Sequence, residues 1–213
     1  MITTTPLNQF LDELASRSPA PGGGSVAALS GALGAALTTM VCHLTIGKKK
    51  YADVQREMES VLKRSEELRA SFSKLVEKDV EAFNSVMNAF SLPRETEEQM
   101  RVRTGAVEEA TKKATLVPLK VMELCMEALP LTKAIAEKGN RNSISDAGVS
   151  ALMLGAACEG AALNVRINLG TLQDKPFVKE TRAKMKKVLD EVESLTKEVL
   201  RIIDAKLSGG PSI

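Results

Sequence analysis

Apolar residues recur at spacings of three and four along nearly the whole chain, and alternating β-branched runs are scarce, so the pattern predicts an all-α fold. Leu7, Phe10, Leu11 and Leu14 make a first short stripe, with Thr5 as the expected cap and Pro6 at the first helical position. The run SPAPGGGS ends it, because Pro19, Pro21 and Gly22 to Gly24 cannot continue a helix. Residues 25–46 hold no Asp, Glu, Lys or Arg and a single His, His43, and are crowded with Ala, Gly, Ser and Thr. Gly31 and Ala35 stand four apart, as do Ala28, Ala32 and Ala36, which offers neighbouring helices flat faces and predicts a central position. A membrane span is the rival reading of this segment, since about 20 residues at 1.5 Å each cross a bilayer. Its Ala/Gly-rich rather than Leu-rich composition and the soluble character of the remainder argue for a buried helix.

The stripe Val54, Met58, Val61, Leu68, Phe72, Leu75, Val76, Phe83, Val86, Met87 and Phe90 predicts one long helix over 52–92, ended by Pro93. Thr96 with Gln99 has the form of a capping box and opens another helix, which Pro118 is expected to kink or break before a segment over 121–129. A short helix over 131–138 then closes at Gly139. The polar turn GNRNSISD, residues 139–146, leads into a second small-residue helix over 146–172 that echoes the first. After Asp174 and Pro176, a last amphipathic helix uses Val178, Met185, Leu189, Val192, Leu195, Val199 and Ile202. No linker interrupts the pattern, so one domain is expected over 1–207, with a fraying tail at 208–213.

Charge and composition exclude several classes. Lys plus Arg total 29 against 27 Asp plus Glu, for a net charge of +2, and aromatics are 3% with no Trp and one Tyr. Neither a broad basic surface nor stacking platforms are present, so nucleic acid is not an expected partner. Cys42, Cys125 and Cys158 lie far apart in apolar segments without a CxxC pair and read as buried thiols of a reducing cytoplasm. His43 is the single imidazole, so no His/Cys metal site is expected, and MITTTPLNQFLDEL brings acids too early for a secretory signal.

Candidate chemistry is confined to a few polar residues in these apolar runs. Continuing the stripe from Phe72 and Val76 lands on Asp79, where the pattern asks for an apolar side chain. A carboxylate there is costly to bury, so it either serves a function, pairs with a Lys or Arg of a neighbouring helix, or escapes as the stripe drifts. The GGGS turn places free backbone N–H groups at a helix N-terminus, with Ser25 as cap; it suits a carboxylate or phosphate but equally serves as a turn. Lys48, Lys49 and Lys50 follow the other end of that helix, where they complement its dipole or dock an anionic substrate tail. Asp146 stands in the first turn of its helix, an ordinary place for Asp, among Asn140, Asn142, Ser143 and Ser145. Asn164 and Asn168 fall on the face of Ala157, Gly160 and Ala161 and are read as facing a cavity or bonding across helices. Glu159 and Arg166 are assigned to interhelix pairing, and His43 to a structural role.

Taken in order, SPAPGGGSVAALSGALGAALTTMV, LTIGKKKY, KDVEAF, LVPL, GNRNSISDAGVSAL and NVRINL resemble the cyclodeaminase/cyclohydrolase family of folate enzymes, from about Pro6 to Phe177. The resemblance implies an up-and-down helical bundle that dimerises and binds tetrahydrofolate, polyglutamylated or not, in a cleft between helices. It implies cyclisation of 5-formiminotetrahydrofolate to 5,10-methenyltetrahydrofolate with release of ammonia, without a metal or redox cofactor. Asp79 and Asp146 would be the acid and base. Gly22, Gly23, Gly24, Ser25, Lys48, Lys49, Asn140, Ser145, Asn164 and Asn168 would bind the substrate. The alternatives are hydrolysis of the methenyl compound at the same site and a non-catalytic folate-binding protein. Few aromatics imply that a folate ring is held by backbone, amides and carboxylates more than by stacking.

Overall fold

The computed structural model describes residues 4–209, and among these are six α-helices and no strand. They are α1 (Leu7–Leu14), α2 (Gly23–Thr45), α3 (Gln55–Phe90), α4 (Glu97–Lys138), α5 (Ile144–Leu169) and α6 (Lys175–Ser208). The two small-residue helices, α2 and α5, pack side by side, flanked by α3 and α6 respectively, and α4 lies across all of them. The all-α bundle expected from the hydrophobic spacing is therefore present, and residues 210–213 of the expected tail lie outside the described residues.

Several boundaries differ from the sequence expectation. Pro6 flanks α1 instead of opening it. Helix α2 starts two residues before Ser25, with extended Gly22 as its N-cap, so Ser25 stands inside the first turn and its hydroxyl is released for another partner. The stretch Lys49–Val54 is a separate 3₁₀ segment ahead of α3. Proline 118 breaks nothing, and the helix expected over 131–138 is only the last part of α4, which runs through Pro118 and Pro130 to Lys138. A mid-helix proline costs about 3 kcal/mol. Burial of Leu119, Val121, Met122, Leu124, Cys125, Ala128 and Leu129 around the two prolines offsets it, and periodicity alone cannot weigh that burial. The Thr96–Gln99 capping box is formed, and Asp174 accepts from the Phe177 N–H at 3.0 Å to cap α6.

The small residues of α2 allow the close approach inferred from their spacing. A Cβ at Gly31 would lie 2.4 Å from the Phe72 ring of α3, and one at Gly34 2.8 Å from Leu154 of α5. Where these helices meet α4, three buried hydroxyls close a ring: Thr38 is 3.0 Å from both Thr132 and Ser150, which are 3.2 Å apart. Ser150 also donates to the Gly34 carbonyl at 2.8 Å. These three hydroxyls thus tie the small-residue helices together, each with a partner of its own.

Neither small-residue helix is wholly internal. Val26, Leu33, Met40 and Leu44 of α2 and Val149, Leu152, Leu163 and Ile167 of α5 are exposed. Both helices are long and apolar enough to cross a membrane, yet 61% and 50% of their most apolar windows are buried in the bundle.

Candidate active site

At the N-terminal end of α2 the bundle opens into a cavity of about 410 Å³. Its walls come from the loop before α2 (Pro19, Ala20, Gly22), the α2 start (Gly23, Gly24), α3 (Asp79, Phe83, Met87, Phe90), the Pro118 region of α4, and the C-terminal end of α5 (Asn164, Ile167, Asn168). Asp79 reaches the position that the interrupted stripe predicted, and no described Lys or Arg forms an ion pair with it. Its partner is Ser25, whose hydroxyl donates to Asp79 Oδ2 at 2.8 Å and whose backbone N–H donates as well.

This geometry explains the glycines. The anion at the N-terminus of α2 is the protein's own carboxylate, which lies so close that a Cβ at Gly24 would sit 2.1 Å from Asp79 Oδ1. Burial raises the Asp79 carboxyl above its ordinary value, and the two Ser25 bonds oppose that rise without cancelling it. A carboxyl held in this way can take up and return a proton nearer neutrality than an exposed one. Asn164 stands beside Gly23, where an added Cβ would be 3.7 Å from its Nδ2, and that amide also donates back to the Gly160 carbonyl at 2.9 Å.

Gly22, Gly23, Gly24, Asp79, Asn164 and Asn168 are therefore brought together, with Ser25 holding the carboxylate from behind. Lys48, Lys49, Asn140, Ser145 and Asp146 are not. They lie at the other end of α2, where Asn140 donates from Nδ2 to the Leu44 carbonyl at 2.9 Å and from its backbone to Thr45 Oγ1 at 2.8 Å. Asp146 and Asn164 are 18 positions apart on one helix, about 27 Å at 1.5 Å per residue. Within one chain the two proposed acids cannot share a cleft.

The sequence reading missed part of each region. Phe83 and Phe90 line the cavity, so it is not free of aromatic walls; their place on the Asp79 stripe was the available signal. Arg103 stands over Phe90 at 5.4 Å and donates to its carbonyl. At the other end, Tyr51 accepts from the Arg141 N–H at 3.0 Å. Glu159, Arg166 and His43 are exposed, and no described ion pair joins Glu159 or Arg166 to a neighbouring helix, so the pairing expected for them is absent among the described residues. The three cysteines are buried, and burial pushes Cys42 and Cys158 up to about 12, which leaves them unreactive thiols.

The sequence model of the formiminotransferase-cyclodeaminase family matches residues 6–187. The chain belongs to that family. It is 45% identical over 95% of its length to a methenyltetrahydrofolate cyclohydrolase of Methylorubrum extorquens, covering 97% of that protein. It is 36% identical to the formimidoyltransferase-cyclodeaminase of Rattus norvegicus, of which it spans 37%. Among solved structures, a formiminotetrahydrofolate cyclodeaminase from Thermotoga maritima aligns over 97% of this chain and 100% of its own, with a TM-score of 0.88 at 31% identity. Membership supports an enzyme of folate one-carbon interconversion. In this formiminotransferase-cyclodeaminase family member the 410 Å³ cavity has a single carboxylate, Asp79, among its described lining residues.

Proposed function

We propose that the chain hydrolyses 5,10-methenyltetrahydrofolate to 10-formyltetrahydrofolate in the Asp79 cavity. The observation that carries this reading is the 45% identity to the Methylorubrum cyclohydrolase, spread over almost the full length of both chains. The site chemistry is consistent with it. The methenyl carbon is a cationic centre between N5 and N10, and the partly dry cavity gives it one carboxylate. Water adds to that carbon, Asp79 takes the water proton, and the C–N5 bond then breaks as N5 is protonated, leaving the formyl group on N10. One proton is released overall and the step balances without a redox partner. Phe83 and Phe90 would hold the rings, while Asn164 and Asn168 supply amides to polar edges.

Cyclisation of 5-formiminotetrahydrofolate with loss of ammonia is the second reading, supported by the match to the Thermotoga structure. There N10 attacks the formimino carbon, and the same carboxyl would pass a proton toward the departing nitrogen. Positioning N10 over that carbon would supply much of the rate, since the attack is intramolecular. The discriminating experiment compares methenyl hydrolysis with ammonia release under matched conditions. Hydrolysis should dominate, and Asp79→Asn should lower it by about 100-fold or more. Faster ammonia release would exchange the two readings, and tight folate binding with neither activity would leave a binding protein.

A further inference from the structure

Along α3 the cavity wall runs from Asp79 through Phe83 and Val86 to Met87 and Phe90. The first three are partly buried, whereas Met87 and Phe90 are 48% and 46% exposed, so the cavity opens to solvent toward the C-terminal end of this helix. None of its described lining residues is a cation. The cation tied to its mouth is the partly buried Arg103 of α4, which stands over the Phe90 ring at 5.4 Å and donates from Nε to the Phe90 carbonyl at 3.1 Å.

Arg103 differs from the other cations of its helix. Arg101, Lys112, Lys113, Lys120, Lys133 and Lys138 each form an ion pair, and Arg103 forms none among the described residues. The positions three and four away hold Gln99, Met100, Ala106 and Val107, so no acid on α4 is placed to reach it. The Phe90 carbonyl takes Nε, and neither Nη group has a hydrogen-bond partner among the described residues. Closing the end of α3 accounts for the Nε bond. It does not account for a missing acid on a helix where every other cation has one. A guanidinium presents its N–H donors in a rigid fork that matches a carboxylate, and partial burial beside an aromatic ring strengthens that attraction.

Spacing agrees with charge. From Asp79 to Phe90 the helix rises about 16 Å at 1.5 Å per residue. In a reduced folate the aminobenzoyl ring and its amide set the glutamate carboxylates on the order of 10 Å from N10 by ordinary bond lengths, and the side chains of Asp79 and Arg103 cover the remainder. We propose that Arg103 is a specificity-determining residue at the cavity mouth, pairing with a glutamate carboxylate of the substrate while the reacting carbon lies at Asp79. This rests on the folate reading of the cavity and deepens it, because it fixes the direction in which the substrate lies: rings inward, glutamate outward past Phe90.

Two ligands with the same rings test this by titration calorimetry: 5-formyltetrahydrofolate, and its counterpart in which a neutral methylamide replaces the glutamate. The wild-type chain should bind the folate about 10–100-fold more tightly than the amide, the effect of charge-assisted hydrogen bonds. Added salt should weaken the folate alone. Arg103→Met should bring the folate down to the affinity of the amide and leave the amide where it was. Arg103→Lys keeps the charge without the fork and should fall between the two. Equal losses for both ligands would mean that Arg103 acts only by seating Phe90, and would overturn the proposal. So would an Arg103→Met chain that binds the folate as tightly as wild type. Circular dichroism checks that each variant is folded; should Arg103→Met not fold, an Arg103→Lys chain with the wild-type ratio of affinities overturns the proposal, and a reduced ratio upholds it. A wild type that binds both ligands equally sinks the role of Arg103 and spares the folate reading. A wild type that binds neither, and turns over neither folate substrate, sinks both.

Discussion

At Asp79 a single side chain couples local geometry to chemistry. Its carboxylate, Ser25 and the backbone of Gly24 are in mutual contact, so the smallest enlargement is informative. Gly24→Ala forces a Cβ into Asp79 Oδ1. Turnover should fall by about 100-fold, since displacement by ~1 Å can cost that much. Stability should fall by about 1–3 kcal/mol, read from urea denaturation. The direction of the Asp79 shift also predicts a pH dependence. A carboxyl raised in the folded state above its ordinary 3.8 binds its proton more tightly there than in the unfolded chain. Its contribution to stability is thus fully present below that value and is lost as pH rises through the folded one. Asp79→Asn keeps the neutral form at every pH. Denaturation at pH 4 and pH 8 should therefore show the variant gaining on wild type at the higher pH, and an unchanged difference would contradict the shift.

Among the elements, α2, α4 and α5 show how small residues replace large ones in holding helices together. Gly31 and Gly105 are both helical glycines, but the first lies under the Phe72 ring and the second has nothing within 4 Å. Gly31→Ala should cost about 1–3 kcal/mol through overpacking. Gly105→Ala should stabilise by about 0.5–1 kcal/mol through lower unfolded-state entropy; thermal melts of the two variants test the contrast. Ser150→Ala removes one member of the hydroxyl ring while Thr38 and Thr132 keep each other, and should cost about 1 kcal/mol without changing turnover. Helix periods and the Thr96 capping box were legible in the sequence because they depend on neighbours three or four positions away. Continuity through Pro118 was not, because the burial that offsets the missing N–H comes from other helices.

For the molecule as a whole, the thiols report on global opening. Cys42, Cys125 and Cys158 are each 0% exposed, so labelling by a thiol reagent should proceed only as fast as the bundle unfolds and should accelerate with denaturant. Fast labelling of any of the three in native buffer would reveal a looser core. At this scale the division between sequence and structure is also clearest. Spacing, small-residue runs and the position of Asp79 on an apolar stripe determined by themselves an all-helical fold, a close-packed helix pair and a carboxylate out of keeping with its surroundings. Those properties follow from the 3.6-residue period and from side-chain volume, which are local. Tertiary packing alone decided that the anion at the start of α2 is Asp79, that Phe83 and Phe90 wall the cavity, and that the cavity forms at the end of α5 opposite Asp146. Two positions can belong to one motif set and still be separated by the length of a helix, because a helix carries its residues about 1.5 Å apart along a line that no side chain can shorten.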